Sequence, residues 1–370
     1  MASLASHSAP CAASGAVAPE RRRGRAANIN PSGRFETHQR LDLDDGWRIL
    51  DDLPPFRTEI IHEKPRTLIA RNESPDIAFE RSINPYRGCE HGCVYCFARP
   101  SHAYLGLSPG LDFESRLFVK DGAAEALRRE FSAPGYQPKI LAIGTNTDPY
   151  QPIEREHRVM RGILEVLSET SHPVAIVTKS ALVLRDLDLL APMAEKGLVK
   201  VALSVTTLDR DLARAMEPRA ATPSRRLEAI EKLSQAGVPT AVMVAPVIPG
   251  VTDHEIEAIL ARAHAHGARE AGYILLRLPL ETRDLFANWL LEHFPDKYRK
   301  VLALLRSTRE GKLYDSAWGK RMTGTGPYAW MIGRRFQLAS ERLGFGKAKI
   351  RLRTDLFTPP ERGERQLSLF

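Results

Sequence analysis

Three of the four cysteines in the chain lie within eight residues, in the stretch GCEHGCVYCFARP at 88–100. Thiols at this spacing can form disulfides, bind zinc, hold an iron–sulfur cluster or fill a buried position. An odd set of three cannot pair internally. A structural zinc site needs four ligands, and His91 sits between two of the cysteines, where the tight loop gives it poor reach. A cubane cluster bound by Cys89, Cys93 and Cys96 alone would leave one iron free for an exogenous ligand. The spacing by itself leaves these alternatives open.

The composition limits the class of protein. The 370 residues contain 43% hydrophobic and 26% charged residues, which is typical of a globular protein. No run approaches the roughly 18 apolar residues of a membrane span, and residues 1–20 lack the apolar core of a secretory signal. Four cysteines, three of them clustered, do not form a disulfide framework. We therefore predict a cytoplasmic protein with no membrane partner.

The net charge of +8 is distributed unevenly. Residues 297–370 contain 17 Lys and Arg against 6 Asp and Glu, a net charge of +11, so residues 1–296 carry −3. A basic C-terminal quarter suits a nucleic acid, because each neutralised phosphate releases counterions. A plain solvated surface is the alternative interpretation.

Six short runs rich in β-branched and apolar residues predict strands buried on both faces. They are IAFERSI (77–83), KILAIGT (139–145), PVAIVTKS (173–180), VKVALSVTT (199–207), PTAVMVAPVIP (239–249) and GYILLRLP (272–279). Helical periodicity separates them, so right-handed βαβ units and a parallel, barrel-like α/β fold are expected. The functional site of such a sheet lies at the carboxyl ends of its strands.

We divide the chain into five parts. Residues 1–30 are expected to be disordered, and 31–75 to form an N-terminal extension that packs on the barrel. The barrel itself is assigned to 76–280. A mostly helical, basic region follows at 281–357, and a flexible tail at 358–370.

The stretch CEHGCVYC matches the CxxxCxΦC signature of the radical S-adenosylmethionine (SAM) enzymes, with Tyr95 as the aromatic residue Φ. That family places this loop after the first strand of a partial (β/α)6 barrel, as the strand pattern does here. The resemblance implies a [4Fe–4S] cluster held by Cys89, Cys93 and Cys96, with the amine and carboxylate of SAM on the fourth iron. It also implies one-electron cleavage of SAM to a 5′-deoxyadenosyl radical that abstracts hydrogen from a substrate.

The same resemblance implies SAM contacts at Tyr95 in the cysteine motif and at or near the ends of further strands. The latter fall on Gly144, Thr147, Asp148, Lys179, Ser204 and Ile248. Local chemistry offers alternatives, since Asp148 before Pro149 also fits an Asx turn. Arg219 and Arg225 could meet a carboxylate or a substrate phosphate, or could be plain helix-surface arginines.

The chain has an RGRxxxxNPxxRFE-like entry at 23–36 and the stretch NTDPYQPIE at 146–154. With these and the pattern across residues 75–280, it resembles an uncharacterised bacterial group within the spore photoproduct lyase branch, the DNA repair photolyase-like proteins. True lyases of this branch return hydrogen through an additional cysteine beyond the barrel, and here the only spare thiol is Cys11. Relay candidates are therefore Cys11, Tyr150, Tyr273, Tyr314 and Tyr328. The resemblance implies a nucleic acid substrate, with DNA favoured, and an electron donor such as flavodoxin or ferredoxin. The alternatives are a radical SAM enzyme that modifies tRNA or protein, and a non-enzymatic iron–sulfur DNA-binding factor.

The chain ends in Gln366, Leu367, Ser368, Leu369 and Phe370. This pentapeptide resembles the QL(S/D)LF peptides by which bacterial polymerases and repair proteins dock on the sliding clamp. A flexible tether would present Leu and Phe to an apolar pocket, while Gln fixes the register. Packing of the tail on its own domain is the alternative.

Overall fold

The computed structural model describes residues 25–27, 29–36, 57–347 and 350–360. This part of the chain contains ten strands, numbered β1 to β10 in chain order. They are Glu59–Glu63, Ala70–Arg71, Arg81–Ile83, Tyr86–Arg87, Arg116–Lys120, Leu141–Ile143, Val174–Thr178, Val199–Ser204, Thr240–Val247 and Glu270–Leu275.

The main sheet has the order β10-β9-β8-β7-β6-β3-β2. Its first six strands in this order are all parallel, and β2 joins the β3 edge in the antiparallel sense. Each of the six predicted runs forms one of these parallel strands. The expectation of a partial (β/α)6 barrel is therefore confirmed. A separate three-stranded sheet, β1-β5-β4, stands beside it.

Eleven α-helices, α1 to α11, occur in the described ranges. They are Leu111–Ser115, Ala123–Phe131, Glu154–His157, Val159–Glu169, Leu187–Glu195, Arg210–Met216, Pro223–Gln235, Ile256–Ala265, Thr282–His293, Tyr298–Ser307 and Gly326–Leu343. The apolar stripe of α4 is buried, with Met160, Ile163 and Leu164 fully covered. Helix α7 begins with Pro223 at its first position, where the missing N–H of proline costs no hydrogen bond. No described helix is long and apolar enough to cross a membrane.

Two buried clusters matter for the site. The larger one joins the parallel strands to the surrounding helices. A second one lies under the cysteine stretch and brings Cys93 and Tyr95 together with Ile248, Phe286 and Trp289. The cysteine stretch is thus seated on apolar packing that includes the C-terminal helix α9.

The prediction that residues 1–30 are disordered is wrong for residues 25–27, 29 and 30. Residues 25–27, 29 and 30 lie against the chain around the cysteines, and Ala27 is fully buried. The backbone N–H groups of Arg25 and Ala27 donate to the Glu114 carboxylate, at 2.6 and 3.1 Å. The segment has no apolar periodicity, and its order comes from this distant carboxylate, which sequence reading could not connect to it.

The C-terminal region begins as expected with helices α9 and α10. An irregular segment at 308–325, which we call the strap, then precedes α11. The Leu275 N–H of β10 donates to the Met322 carbonyl at 2.8 Å, and Arg321 pairs with Asp76 at 2.7 Å. Asp76 lies between β2 and β3, so the strap links the two edges of the main sheet. At the far end, Thr358 donates to the Thr170 carbonyl, so the predicted tail is held as far as that residue.

We predict that His172 makes folding sensitive to mild acid. Its ring stacks on Phe131 with centroids 4.5 Å apart and meets Phe357 edge-on. Burial lowers the pKa of His172 to about 4. The unfolded chain takes up this proton near pH 6.5, so stability should be complete above that pH and fall towards pH 4, by up to about 3 kcal/mol.

Urea unfolding at pH 7 and pH 4.5 measures this effect. His172→Phe should lose less stability on acidification than the unchanged chain. His254→Gln, at an exposed position, should respond to acid as the unchanged chain does. Equal acid sensitivity of His172→Phe and the unchanged chain would contradict the prediction.

Candidate active site

The three clustered cysteines follow β4 in a tight, buried loop at 88–100. The Cys89 N–H donates to the Phe113 carbonyl at 2.9 Å, and the Cys96 N–H to the Cys93 carbonyl at 3.2 Å. Gly88 opens the loop with φ +76°, and a Cβ there would stand 2.6 Å from the Leu117 side chain. Only glycine satisfies both the backbone conformation and the close approach at this point.

Arg99 holds the loop in shape. Its guanidinium donates to the carbonyls of Gly92 and Cys93, at 3.0 and 2.8 Å, and to those of two residues that precede α1. It also pairs with the Glu114 carboxylate, and both side chains are fully buried. These hydrogen bonds from one buried arginine therefore hold the loop in a single conformation.

The donor set suits an iron–sulfur cluster. All three thiols are free, Cys89 and Cys93 are buried, and Cys96 is partly so. Burial raises the pKa of each thiol, that of Cys93 to about 12, so the apoprotein keeps them protonated. Cationic iron would offset the cost of burying a charged thiolate, because it binds the thiolate form. The described residues contain no group of three His, Cys, Asp or Glu side chains that could hold a single metal ion. Cluster thiolates each bind a different iron and need not converge on one point as zinc ligands must.

Asp148, which follows β6, connects the end of β7 to the cysteine loop. One carboxylate oxygen accepts from the Thr178 hydroxyl at 2.7 Å, and the other from the Lys179 N–H at 2.7 Å. The second oxygen also stands 3.4 Å from Nδ1 of buried His91. The same carboxylate accepts from the Tyr150 N–H, so the predicted Asx turn is present as well.

The Lys179 side chain crosses to the next strand. Its ammonium donates to Ser204 Oγ at 3.1 Å and stands 5.8 Å from the centre of the Tyr95 ring. Ser204 in turn donates to the Ala245 carbonyl at 2.8 Å. Lys179, Ser204 and Tyr95, which the sequence assigned to three separate segments, are therefore neighbours.

A buried ion pair between Glu217 and Arg226 holds the Tyr95 hydroxyl in place. The Tyr95 hydroxyl donates to Glu217, which also pairs with the Arg226 guanidinium, and Thr206 Oγ1 lies 3.2 Å from the hydroxyl. Burial opposes the charge on Arg226, but Glu217 outweighs it, so the pKa of Arg226 lies above its usual value. The same burial raises the pKa of Tyr95. The phenol stays neutral and its ring is held at one orientation beside Cys93 and Cys96.

Three other predicted residues have structural contacts of their own. Gly144 has φ +90°, and a Cβ there would collide with the Val177 carbonyl oxygen. Only glycine therefore fits at this position, where the end of β6 approaches β7. The Thr147 hydroxyl donates to the Tyr86 carbonyl. Ile248 is fully buried in the cluster that contains Cys93.

The structure does not bring the tyrosine relay candidates together. Tyr150 is buried beside Arg185, Tyr273 packs on Phe336 of α11, and Tyr328 donates to Asp253. Tyr314 lies on the strap, and Cys11 and the pentapeptide at 366–370 lie outside the described residues.

The two candidate arginines differ from each other. Arg219 is half-exposed and donates to buried Glu90 at 2.9 Å, whereas Arg225 is exposed and pairs with Glu228 on its own helix. The buried arginine of this helix is Arg226, one residue further on. Sequence reading missed it together with Glu217 and Arg99, because single charged residues in mixed loops carry no periodic signal.

The fold and the loop define the class of protein. A model of the Radical SAM superfamily matches residues 83–263, which contain the cysteine loop and the four parallel strands β6 to β9 in full. The chain belongs to the radical SAM superfamily, whose enzymes use a [4Fe–4S] cluster and SAM.

Relatives share more than the cysteine loop. An uncharacterised protein of Mycobacterium tuberculosis is 40% identical over 240 residues, covering 63% of this chain and 71% of that protein. The radical SAM Nalpha-GlyT isomerase of Pseudomonas phage M6 is 24% identical over 310 residues, covering 74% of this chain and 62% of that enzyme. Spore photoproduct lyase complexed with dinucleoside spore photoproduct has a similar fold, with a TM-score of 0.57 and 17% identity over 77% of this chain and 80% of that one.

Proposed function

We propose that this radical SAM enzyme acts on nucleic acid, with Cys89, Cys93 and Cys96 as the ligands of its cluster. The observation that carries the proposal is the position of the three cysteine thiols. They lie on one rigid loop, beside the linked Asp148, Lys179 and Tyr95, at the carboxyl ends of a parallel sheet.

The chain's own side chains would position the cofactors. Lys179 offers an ammonium to a carboxylate, and Ser204 offers a hydroxyl that Lys179 and Ala245 hold in place. Asp148 accepts hydrogen bonds and could turn towards an amine. Tyr95 covers the loop with a neutral ring that the buried Glu217–Arg226 pair orients. When bound, the cluster supplies the electron for reductive cleavage of SAM, and a flavodoxin or ferredoxin would renew that electron in the cytoplasm.

The surface of the C-terminal region supports a polyanionic substrate. Several of its cations are exposed and form no ion pair within the described residues: Lys297, Arg299, Lys300, Arg306, Lys312, Arg334 and Arg342. Exposed cations without ion-pair partners favour phosphates over a neutral or cationic partner. The similar fold of a lyase solved with a dinucleoside spore photoproduct points in the same direction.

Anaerobic reconstitution tests the function. The protein is loaded with iron and sulfide, reduced with dithionite and given SAM together with single-stranded DNA, UV-irradiated DNA, bulk tRNA or a bacterial protein extract. We expect 5′-deoxyadenosine to accumulate, fastest with DNA, and deuterium-labelled SAM to exchange label with a nucleoside. If only tRNA or the extract stimulates the reaction, the DNA assignment fails. If no 5′-deoxyadenosine forms with any addition, a non-enzymatic role replaces the proposal.

We also propose that the terminal pentapeptide docks on a bacterial sliding clamp. This rests on the sequence alone, in which an apolar QLSLF follows a polar Pro-Glu-Arg tether. Phe370→Ala should weaken clamp binding of the full chain by about tenfold or more, since aromatic anchors carry much of such binding energy. Surface plasmon resonance with immobilised clamp measures it, and Ser368→Ala serves as the control. An unchanged affinity for Phe370→Ala would exclude docking through this peptide.

A further inference from the structure

Two arginines next to the cysteine loop lack the partners that buried arginines normally have. Arg309, at the start of the strap, is 1% exposed, and Arg277 follows β10 and is partly buried. The Nε atoms of both are buried without a hydrogen-bond partner. Buried donors are nearly always satisfied, so each such atom calls for an explanation.

The positive charge here is not balanced. Neither guanidinium forms an ion pair with any residue that the structure describes. Burial lowers the pKa of Arg309, and the neighbouring Arg277 charge lowers it further, while Asp315 and Tyr314 act in the opposite sense. Asp315 is already used, since it accepts from the Ala317 N–H at 2.8 Å. Within the described residues, the two guanidinium charges thus have one carboxylate near them, that of Asp315.

Backbone carbonyls hold Arg309 in place, but not Arg277. Arg309 donates to the Leu276 carbonyl at 3.0 Å and to the Lys320 carbonyl at 2.7 Å. Within the described residues, the Arg277 guanidinium donates one hydrogen bond, to the Met322 sulfur at 3.5 Å, which is a weak acceptor. Arg309 is therefore a fixed donor, and Arg277 is the member free to receive a ligand.

An aromatic ring completes the patch. The Arg277 guanidinium lies 4.6 Å from the centre of the Phe97 ring, and Phe97 is 38% exposed. Phe97 directly follows Cys96, whose carbonyl accepts from the Thr282 hydroxyl. The patch therefore adjoins the loop where we place the cluster.

We propose that Arg277 binds a backbone phosphate of a single-stranded nucleic acid, with the fixed charge of Arg309 beside it, and that Phe97 stacks on the adjacent base. Guanidinium groups match phosphate oxygens in a two-pronged geometry, and exposed rings beside arginine bind bases in a sequence-tolerant way. This inference rests on the proposed nucleic acid function and names the anchor that holds the strand beside the radical site.

Binding of a fluorescein-labelled single-stranded oligonucleotide by the reconstituted protein tests it. Arg277→Gln should weaken binding about tenfold or more, because a charge-assisted bond is lost. The slope of log affinity against log salt should become shallower by about 0.7, the value for one phosphate on a single strand. Arg277→Lys should recover part of the affinity, and Arg128→Gln, at an exposed ion pair on α2, should change nothing. An oligonucleotide with a neutral methylphosphonate backbone should bind poorly to every variant.

Unchanged binding by Arg277→Gln, or equal binding of the neutral oligonucleotide, would overturn the proposal. If the unchanged protein binds no oligonucleotide, the nucleic acid function fails and a second measurement decides the anchor. Inorganic phosphate should then raise the melting temperature relative to chloride at equal ionic strength, and Arg277→Gln should remove that rise. The absence of any such rise would overturn the anchor as well.

Discussion

Replacing Cys93 with serine is expected to remove the cluster from the reconstituted protein and to reduce 5′-deoxyadenosine formation to background. Outer partners of metal ligands alone change affinity or activity about 10–100-fold, so loss of a ligand should exceed that range. Bound iron, acid-labile sulfide and the visible absorption of the cluster are the measurements. Cys89→Ser and Cys96→Ser should behave in the same way, since the three thiols lie on one loop.

Cys11→Ser is the matched control, because it removes the one thiol outside that loop. It should retain full iron and sulfide. If it also keeps 5′-deoxyadenosine formation but changes the nucleoside product, Cys11 is the hydrogen-return residue. Iron loss in Cys11→Ser equal to that in Cys93→Ser would contradict the three-ligand assignment. Zinc in place of iron in freshly purified protein, with no cluster formed on reconstitution, would contradict the cluster itself.

Replacing Arg99 with methionine is expected to destabilise the chain by about 3–5 kcal/mol. The fully buried Glu114 carboxylate would then lose its ion-pair partner and keep hydrogen bonds from the backbone N–H groups of Arg25 and Ala27. Four carbonyl acceptors around the cysteine loop would lose their donor at the same time. Urea unfolding of the apoprotein measures the change in free energy. Since the loop is no longer held, the surviving folded fraction should also bind less iron.

Arg128→Met is the comparison for this effect. Arg128 pairs with Glu169, but both side chains are more than 40% exposed, so the loss should be within about 1 kcal/mol. The double variant Arg99→Met, Glu114→Leu should recover part of the lost stability, because it removes the buried charge as well. Should Arg99→Met unfold at the same urea concentration as Arg128→Met, the loop does not depend on the buried pair.

The barrel could be predicted from sequence because its strands are covered on both faces. A strand such as Val174–Thr178 must be continuously apolar and β-branched, and that pattern is visible without any structure. The order of residues 25–27 was not predictable in this way. Three residues with no apolar repeat are held by Glu114, 87 residues away from Ala27, and nothing in the local sequence indicates that partner.

The site was predictable only where a fixed spacing or a strand end marks it. Cys89, Cys93 and Cys96 share a motif, and Lys179 and Ser204 end predicted strands. Tyr95 was identified from the motif, but its hydrogen bond to the Glu217–Arg226 pair was not predicted. Arg225 and Arg226 are adjacent arginines, and only the direction in which α7 turns makes one exposed and the other buried.

The strap also has a consequence for how the chain is made. Its bonds to Asp76 join residues 243 and 245 positions apart, through Gly319 and Arg321. During synthesis the parallel strands emerge in order, but the two edges of the sheet cannot be joined until the strap has been translated as far as Arg321. Contacts of such long separation form slowly and late. We therefore expect ribosome-bound chains ending before residue 319 to expose both sheet edges, which makes chaperone capture a normal stage in the maturation of this enzyme.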